Sequence, residues 1–123
     1  MREILFRGKT EDGKWVYGFP LFQDNYAIIQ FWDSEEFAFA QYFVIPESIS
    51  EFTGLTDKNG KKIFEGDILK GMGGLYRVYF DISLSCFEWA KINGNWQETF
   101  SGFADEYEII GNIHDNSELL KGE

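Results

Sequence analysis

Two pairs of carboxylates are the residues whose spacing best suits chemistry. Glu65 and Asp67, and likewise Glu106 and Glu108, stand two positions apart, which places both side chains of a pair on one face of a strand. Such a pair could transfer protons or hold a divalent metal through oxygen ligands. Neither pair has a companion base or donor cluster, so a solvated face is the simpler interpretation, or for Asp67 a bond to nearby backbone N–H groups. We predict no catalytic residue.

The other candidate ligands and nucleophiles stand alone. His114 and Cys86 are the single histidine and the single cysteine, whereas zinc sites need clusters of these types and a nucleophilic triad needs a base with partners. Gly71-Met72-Gly73-Gly74 lacks the Lys-Ser/Thr ending of a phosphate-binding loop and precedes a strand-like segment, so a hairpin connection is favoured. The sequence therefore predicts no cofactor.

Asp57-x-Asn59-Gly60 begins like a calcium-binding loop. A complete loop requires glycine at its sixth position and glutamate at its twelfth, and here those positions hold Lys62 and Ile68. A hairpin turn is the better interpretation, and we predict no metal site.

The acidic composition bears on the partners. The 123-residue chain has a formal net charge of −10, from 21 acidic and 11 basic residues. This balance argues against binding to nucleic acid, because binding to phosphate backbones requires clustered lysine and arginine. The only basic cluster, Lys58 with Lys61 and Lys62, belongs to a turn. An acidic decoy that blocks a nucleic-acid-binding protein is an alternative, as is stacking of single-stranded bases on aromatic rings.

Local patterns predict a mainly β fold. Three Asx-Gly pairs, Asp12-Gly13, Asn59-Gly60 and Asn93-Gly94, supply the positive φ angles of tight turns between alternating segments. Short helical turns are expected only near Pro46 and near Ser117. We expect a small SH3-like barrel in the C-terminal half, around 63–113, packed with additional N-terminal strands. One domain spans 1–123, with possible halves 1–50 and 51–123.

Aromatic residues make up 19% of the chain, and most should fill the core. The excess could form an exposed patch that binds another protein, because aromatic side chains are enriched at interface hot spots. The candidate partner-binding residues are four aromatics and the acids beside them: Trp32, Asp33, Glu35, Glu36, Phe37, Phe39 and Tyr42. Pairing of two copies to cover an edge strand is also expected, as a homodimer.

The run 51–70, with its Thr-Gly turn, Asp-x-Asn-Gly turn and Ile-Phe-Glu-Gly-Asp-Ile strand entry, resembles the signature of the YopX protein family. The segments 2–8, 12–18, 44–48 and 107–120 resemble that family collinearly, although Ser117 stands where relatives often carry proline. The resemblance implies a protein encoded by a phage or prophage and supplies no catalytic residues.

Taken together, the residues and the resemblance favour a non-enzymatic accessory protein that binds another protein. The alternatives are the acidic decoy and a carboxylate- or metal-dependent enzyme. The single cysteine fits a reducing compartment. We also predict no signal peptide, and the sequence has no apolar run of about 20 residues, the length that a membrane span requires. We expect it in the cytoplasm of the bacterial host.

Overall fold

A computed structural model describes residues 3–94, 96–99 and 102–121. Within these residues the chain forms antiparallel strands and three short 3-10 turns, at Pro46–Ser48, Gly102–Glu106 and Ser117–Lys121. The predictions of a mainly β fold and of few, short helical turns are confirmed. No helix among the described residues has the length and apolar character needed to cross a membrane.

The chain divides into two compact units, Met1–Phe52 and Thr53–Glu123. The division falls inside one strand, two residues beyond the boundary expected at Ser50. Whether the chain acts as one domain or as two halves stays a prediction.

The N-terminal unit is an antiparallel arrangement in the order β4-β3-β2-β1-β5. Its strands are β1 (Phe6–Lys9), β2 (Trp15–Phe22), β3 (Ala27–Asp33), β4 (Ala38–Val44) and the start of β5 (Ser50–Thr56). Its core is small and aliphatic, consisting of Val16, Ala27, Ile29 and Val44 with Phe6 and Ile49 packed against them.

Strand β2 pairs with two neighbouring strands, and Gly18 makes this double pairing possible. The first half of β2 pairs with β1, up to Gly18 opposite Phe6, and its second half pairs with β3 from Phe19 onward. A Cβ atom at position 18 would overlap the backbone carbonyl oxygen of Gln30. Glycine is therefore required where β3 passes close to the turning point of β2.

The C-terminal unit contains a five-stranded antiparallel sheet in the order β10-β9-β8-β7-β11, besides the end of β5 and β6. Its strands are β6 (Lys62–Phe64), β7 (Asp67–Gly71), β8 (Gly74–Asp81), β9 (Cys86–Lys91), β10 (Gln97–Thr99) and β11 (Glu108–Asn112). Its core is rich in aromatic rings: Ile63, Leu69, Tyr76, Val78, Trp89, Ala104 and Tyr107.

The described strands of this unit do not close into the small barrel that we expected. At one edge β10 pairs only with β9, and at the other β11 pairs only with β7. Since closure would require those two strands to pair, the sheet is open.

The Asx-Gly turns lie where the sequence predicted them. Gly13, Gly60 and Asn93 all have positive φ, at 91°, 79° and 63°. The Gly71–Gly74 connection joins β7 to β8 as a hairpin. The turn residues therefore predicted correctly where strands end in both units.

Candidate protein-binding face

The register of β2, β3 and β4 assembles one apolar surface. Phe19 lies opposite Gln30 across β2 and β3, and Leu21 lies opposite Ile28, while on β4 Phe43 faces Ile28 and Phe39 faces Trp32. Because successive side chains of a strand alternate between faces, these residues point away from the aliphatic core. We call this surface the outer face and define it by Phe19, Leu21, Ile28, Trp32, Phe39 and Phe43.

Most of the outer face is exposed. Phe39 and Phe43 are 66% and 67% exposed, Phe19 is 57% exposed and Trp32 is 52% exposed. Ile28 is buried beneath its neighbours. Single exposed apolar residues are ordinary, but a contiguous group of large ones marks an interaction surface in a soluble protein.

Edge-to-face ring contacts organise this surface. The Trp32 and Phe39 centroids lie 5.2 Å apart at 77°, and the Tyr26 and Phe43 centroids lie 5.4 Å apart at 69°. These are favourable aromatic geometries, so the rings hold one another in place on the solvent side. The surface is therefore ordered before any partner arrives.

Phe37 extends the outer face from the loop between β3 and β4. Asp33 accepts hydrogen bonds at Oδ1 from the backbone N–H groups of Glu35 (3.0 Å) and Glu36 (3.3 Å), which starts the turn. The loop returns to β4 through Phe37, whose φ is 53° and whose side chain is 81% exposed. The Phe37 ring lies 6.4 Å from that of Trp32.

A positive φ at a bulky residue is strained, and position 37 would favour glycine. Nothing in the core compensates, because the Phe37 side chain is almost fully exposed. The fold alone therefore gives no reason for phenylalanine at this position, and strain of this kind is a recognised sign of a functional position.

The structure brings together most, but not all, of the predicted patch. Trp32, Phe37 and Phe39 form one cluster, with the exposed Glu35 and Glu36 on the same loop. Tyr42 does not join them. It lies in register with Ile29, on the opposite side of the strands from the outer face.

On that opposite side the Tyr42 ring stacks on Phe31, with centroids 5.8 Å apart, and the Lys14 ammonium lies 5.2 Å from its centre. Tyr42 thus has ring contacts within the unit, and it is 39% exposed. Sequence reasoning missed Phe19, Leu21 and Phe43. The alternation of Tyr17, Phe19 and Leu21 along β2 is the signal that could have found two of them.

A cleft of about 470 Å³ adjoins the outer face. It is lined by Tyr26, Phe43 and Pro46 together with the carboxylate residue Glu11. Phe43 belongs both to the cleft and to the outer face, so a partner seated on the face could also reach into the cleft.

The residues first considered for chemistry have structural roles or lie apart. Asp67 is buried, and its Oδ2 accepts the backbone N–H of Phe64 at 2.8 Å. Among the residues described, no group of three His, Cys, Asp or Glu side chains could hold a metal ion. Cys86 is half-buried.

Asp57 organises a turn, as predicted in place of a calcium site. Its Oδ1 accepts the backbone N–H groups of Asn59 and Lys61, at 2.8 and 3.0 Å, and its Oδ2 accepts that of Ile109 at 3.0 Å. Burial tends to raise the pKa of this carboxyl, but the three N–H bonds outweigh burial and hold the pKa below its ordinary value of 3.8. The carboxylate thus ties the turn to β11.

Glu88 is a buried carboxyl in the C-terminal unit. Its Oε1 accepts the hydroxyl of Tyr79 at 2.8 Å, and this bond raises the pKa of Tyr79 above its ordinary value of 10.0. The two residues are opposite each other on β8 and β9, so the bond links these neighbouring strands.

The chain is similar to a protein family and to solved structures. The model of the YopX protein family matches residues 5–121. The crystal structure of protein EF1440 from Enterococcus faecalis is similar over 98% of this chain and 99% of that chain, at 26% sequence identity and a TM-score of 0.59. No curated protein matches the chain.

Proposed function

The chain belongs to the YopX protein family, and from that premise we propose that it is a phage or prophage accessory protein that binds another protein through its outer face. The observation that carries the proposal is the ordered, exposed group of large apolar side chains on β2, β3 and β4. Each of these aromatic residues is 52–67% exposed, so a partner that covers it buries more than half of its surface. A few such rings are enough to anchor an interface.

Phe37 supports the same surface. Its strained backbone stabilises nothing inside the unit, yet it places an apolar ring beside Trp32 at the rim of the outer face. A ring at that position becomes favourable when a partner covers it. We therefore assign Phe37 to the interface.

The loop acids give the partner a second feature. Glu35 and Glu36 are exposed beside the aromatic cluster, in a chain with a net charge of −10. A partner with an apolar centre and a basic rim complements this arrangement, and such a rim would speed association. Because the acids of the predicted patch, Asp33, Glu35 and Glu36, lie within one short segment, a protein partner is favoured over an extended imitation of phosphate groups.

The experiment that tests the proposal is capture of partners from lysate of the host cell after nuclease treatment. Wild type is compared with Phe19→Ser and Phe39→Ser, which alter two strands of the outer face. Ile82→Ser is the matched control, because Ile82 is 87% exposed but lies in the C-terminal unit.

We expect one protein to be retained by wild type and by the Ile82 variant and to be lost from both outer-face variants. Circular dichroism should show that all four proteins are folded. A captured protein that binds all four equally would contradict the proposal, as would a partner that nuclease removes.

A further inference from the structure

Strand β4 is an edge strand without the usual protection against pairing. In the described part of the N-terminal unit it pairs with β3 only, over Ala38–Val44. Its sequence is Ala-Phe-Ala-Gln-Tyr-Phe-Val, with no charge, no proline and no glycine. Natural edge strands are normally short, bulged, or interrupted by charge or proline, because an open edge offers its backbone groups to another strand.

The end of the open edge is also defined. The backbone N–H of Ile45 donates to the carbonyl oxygen of Lys9 at 2.8 Å, so the chain leaves the edge directly after Val44. The open part of the edge is therefore β4 itself.

We propose that β4 pairs antiparallel with β4 of a second copy of this chain, about a two-fold axis at Gln41. Gln41 is the central residue of the seven in the strand, with three residues on either side. Pairing about this residue places Phe39 of one copy opposite Phe43 of the other, and the reverse. The symmetry of a two-fold dimer repeats each contact.

The side chains fit this register. Phe39 and Phe43 are both exposed and both on the outer face, so two aromatic pairs form on that face across the new strand junction. Aromatic residues directly opposite each other stabilise a sheet. On the other face Ala40 of one copy meets Tyr42 of the other, which combines a small with a large side chain.

The absence of charged side chains on β4 favours pairing with a second copy at this edge. Two molecules that each carry a net charge of −10 repel each other in general, but the paired strands themselves contain no acid or base. Asp33 lies opposite Ala38 at the first end of the strand, and Glu35 and Glu36 belong to the loop that precedes the strand. The paired strands therefore add no charge repulsion of their own to the contact between two copies.

This inference is independent of the proposed partner. Strand pairing extends the sheet sideways and leaves the outer face of each copy open, so the two faces become continuous. A wild type that stays monomeric would overturn the dimer and leave the partner proposal intact. Failure of the outer-face variants to change the captured partner would overturn the partner proposal and leave the dimer intact.

The first test measures mass in solution by light scattering after gel filtration. We expect wild type at twice the chain mass of 14.3 kDa at high concentration. Gln41→Lys and Gln41→Glu each bring like charges together on the axis, which destabilises opposed residues, so both variants should run as monomers. An equimolar mixture of the two should restore the dimer, because lysine then faces glutamate.

Recovery in the mixture separates lost pairing from lost folding. A wild type that stays monomeric at every concentration would overturn the proposal. A Gln41→Lys variant that dimerises as tightly as wild type would overturn it too.

A second test fixes the register by disulfide formation in a Cys86→Ser background, since Cys86 is the native free thiol. Opposed residues of antiparallel strands have Cα atoms about 4.5–5.5 Å apart, within the range that a disulfide spans. Gln41→Cys should therefore cross-link two copies under mild oxidation. Phe39→Cys places the two thiols four residues out of register, about 14 Å apart along the strands, and should not. Equal cross-linking of both variants, or of neither, would overturn the register.

Discussion

The two units use aromatic residues in opposite ways. In the C-terminal unit Tyr76, Trp89 and Tyr107 are buried, at 3–6% exposure, and their centroids lie 4.7–5.7 Å apart. In the N-terminal unit the buried core is aliphatic, and the aromatic residues of the outer face, Phe19, Trp32, Phe39 and Phe43, are 52–67% exposed. Aromatic content alone therefore does not reveal whether rings stabilise the fold or await a partner.

The loops show the same contrast. Asp57 in the C-terminal unit is buried and tied to β11, whereas Asp33 in the N-terminal unit organises an exposed loop that ends in a strained Phe37. The turn at Asp57 stabilises the fold, whereas the loop at Asp33 holds side chains at the surface. The following experiments test this division.

The largest effect is expected from replacing a core tryptophan. Trp89→Ala removes a ring that is 3% exposed and packs on Tyr76 and Tyr107, so it should destabilise the protein by about 3–5 kcal/mol. Trp32→Ala is the matched control on the outer face and should cost less than about 1 kcal/mol. Urea denaturation followed by circular dichroism measures both. Equal losses would remove the distinction between the units.

The next largest effect concerns the two aspartates. Asp57→Ala leaves three backbone N–H groups without their charged acceptor and should cost about 3 kcal/mol. Asp33→Ala loses two bonds in an exposed loop and should cost less than about 1 kcal/mol. The same denaturation assay compares them, and a larger loss at Asp33 would contradict the assignment of roles.

The lowered pKa of Asp57 predicts that the stability of the protein depends on pH in the acid range. Because the pKa of Asp57 is lowered in the folded protein, its contribution to stability is fully present above the ordinary value of 3.8. That contribution is lost as the pH falls through the lowered pKa of the folded state. Asp57→Asn cannot titrate, so the stability difference between wild type and this variant should shrink in strong acid. A difference that stays constant from neutral pH to about pH 2 would contradict this linkage.

The smallest effect has the opposite sign. Phe37→Gly relieves the strain of a positive φ and loses only the exposed contact with Trp32, so it should leave stability unchanged or raise it by up to about 1 kcal/mol. Binding to the captured partner should weaken at the same time. Thermal denaturation and a binding assay, run in parallel, would show both changes. A clear loss of stability would mean that Phe37 supports the fold.

Much of the fold was predictable because its signals are local. The Asx-Gly pairs at 12–13, 59–60 and 93–94 specify positive φ, and the alternation of segments beside them specifies strands. The expected barrel was wrong in its closure, since the pairing of β10 with β11 would be a contact between distant segments. No local pattern reports such a contact.

The candidate site was predictable in part for the same reason. Trp32, Phe37 and Phe39 are close in sequence, and the hairpin brings them together. Tyr42 lies on the other side of the strands, because a residue's face depends on its register. Phe19 and Leu21 were missed because they enter the surface through β2, a separate segment of the chain.

The sequence by itself determined the strands, their turns, the charge and the family to which the chain belongs. Each of these depends on neighbouring residues, on composition or on motifs that occur in a fixed order along the chain. Only the tertiary structure decided which face of each strand is covered. Alternation divides side chains into two sets, but both sets on β4 contain aromatic rings, Tyr42 in one and Phe39 with Phe43 in the other. Val44 of the first set joins the aliphatic core and Tyr42 stacks on Phe31, whereas Phe39 and Phe43 are 66% and 67% exposed. That difference comes from contacts between strands, which no single segment of the sequence specifies.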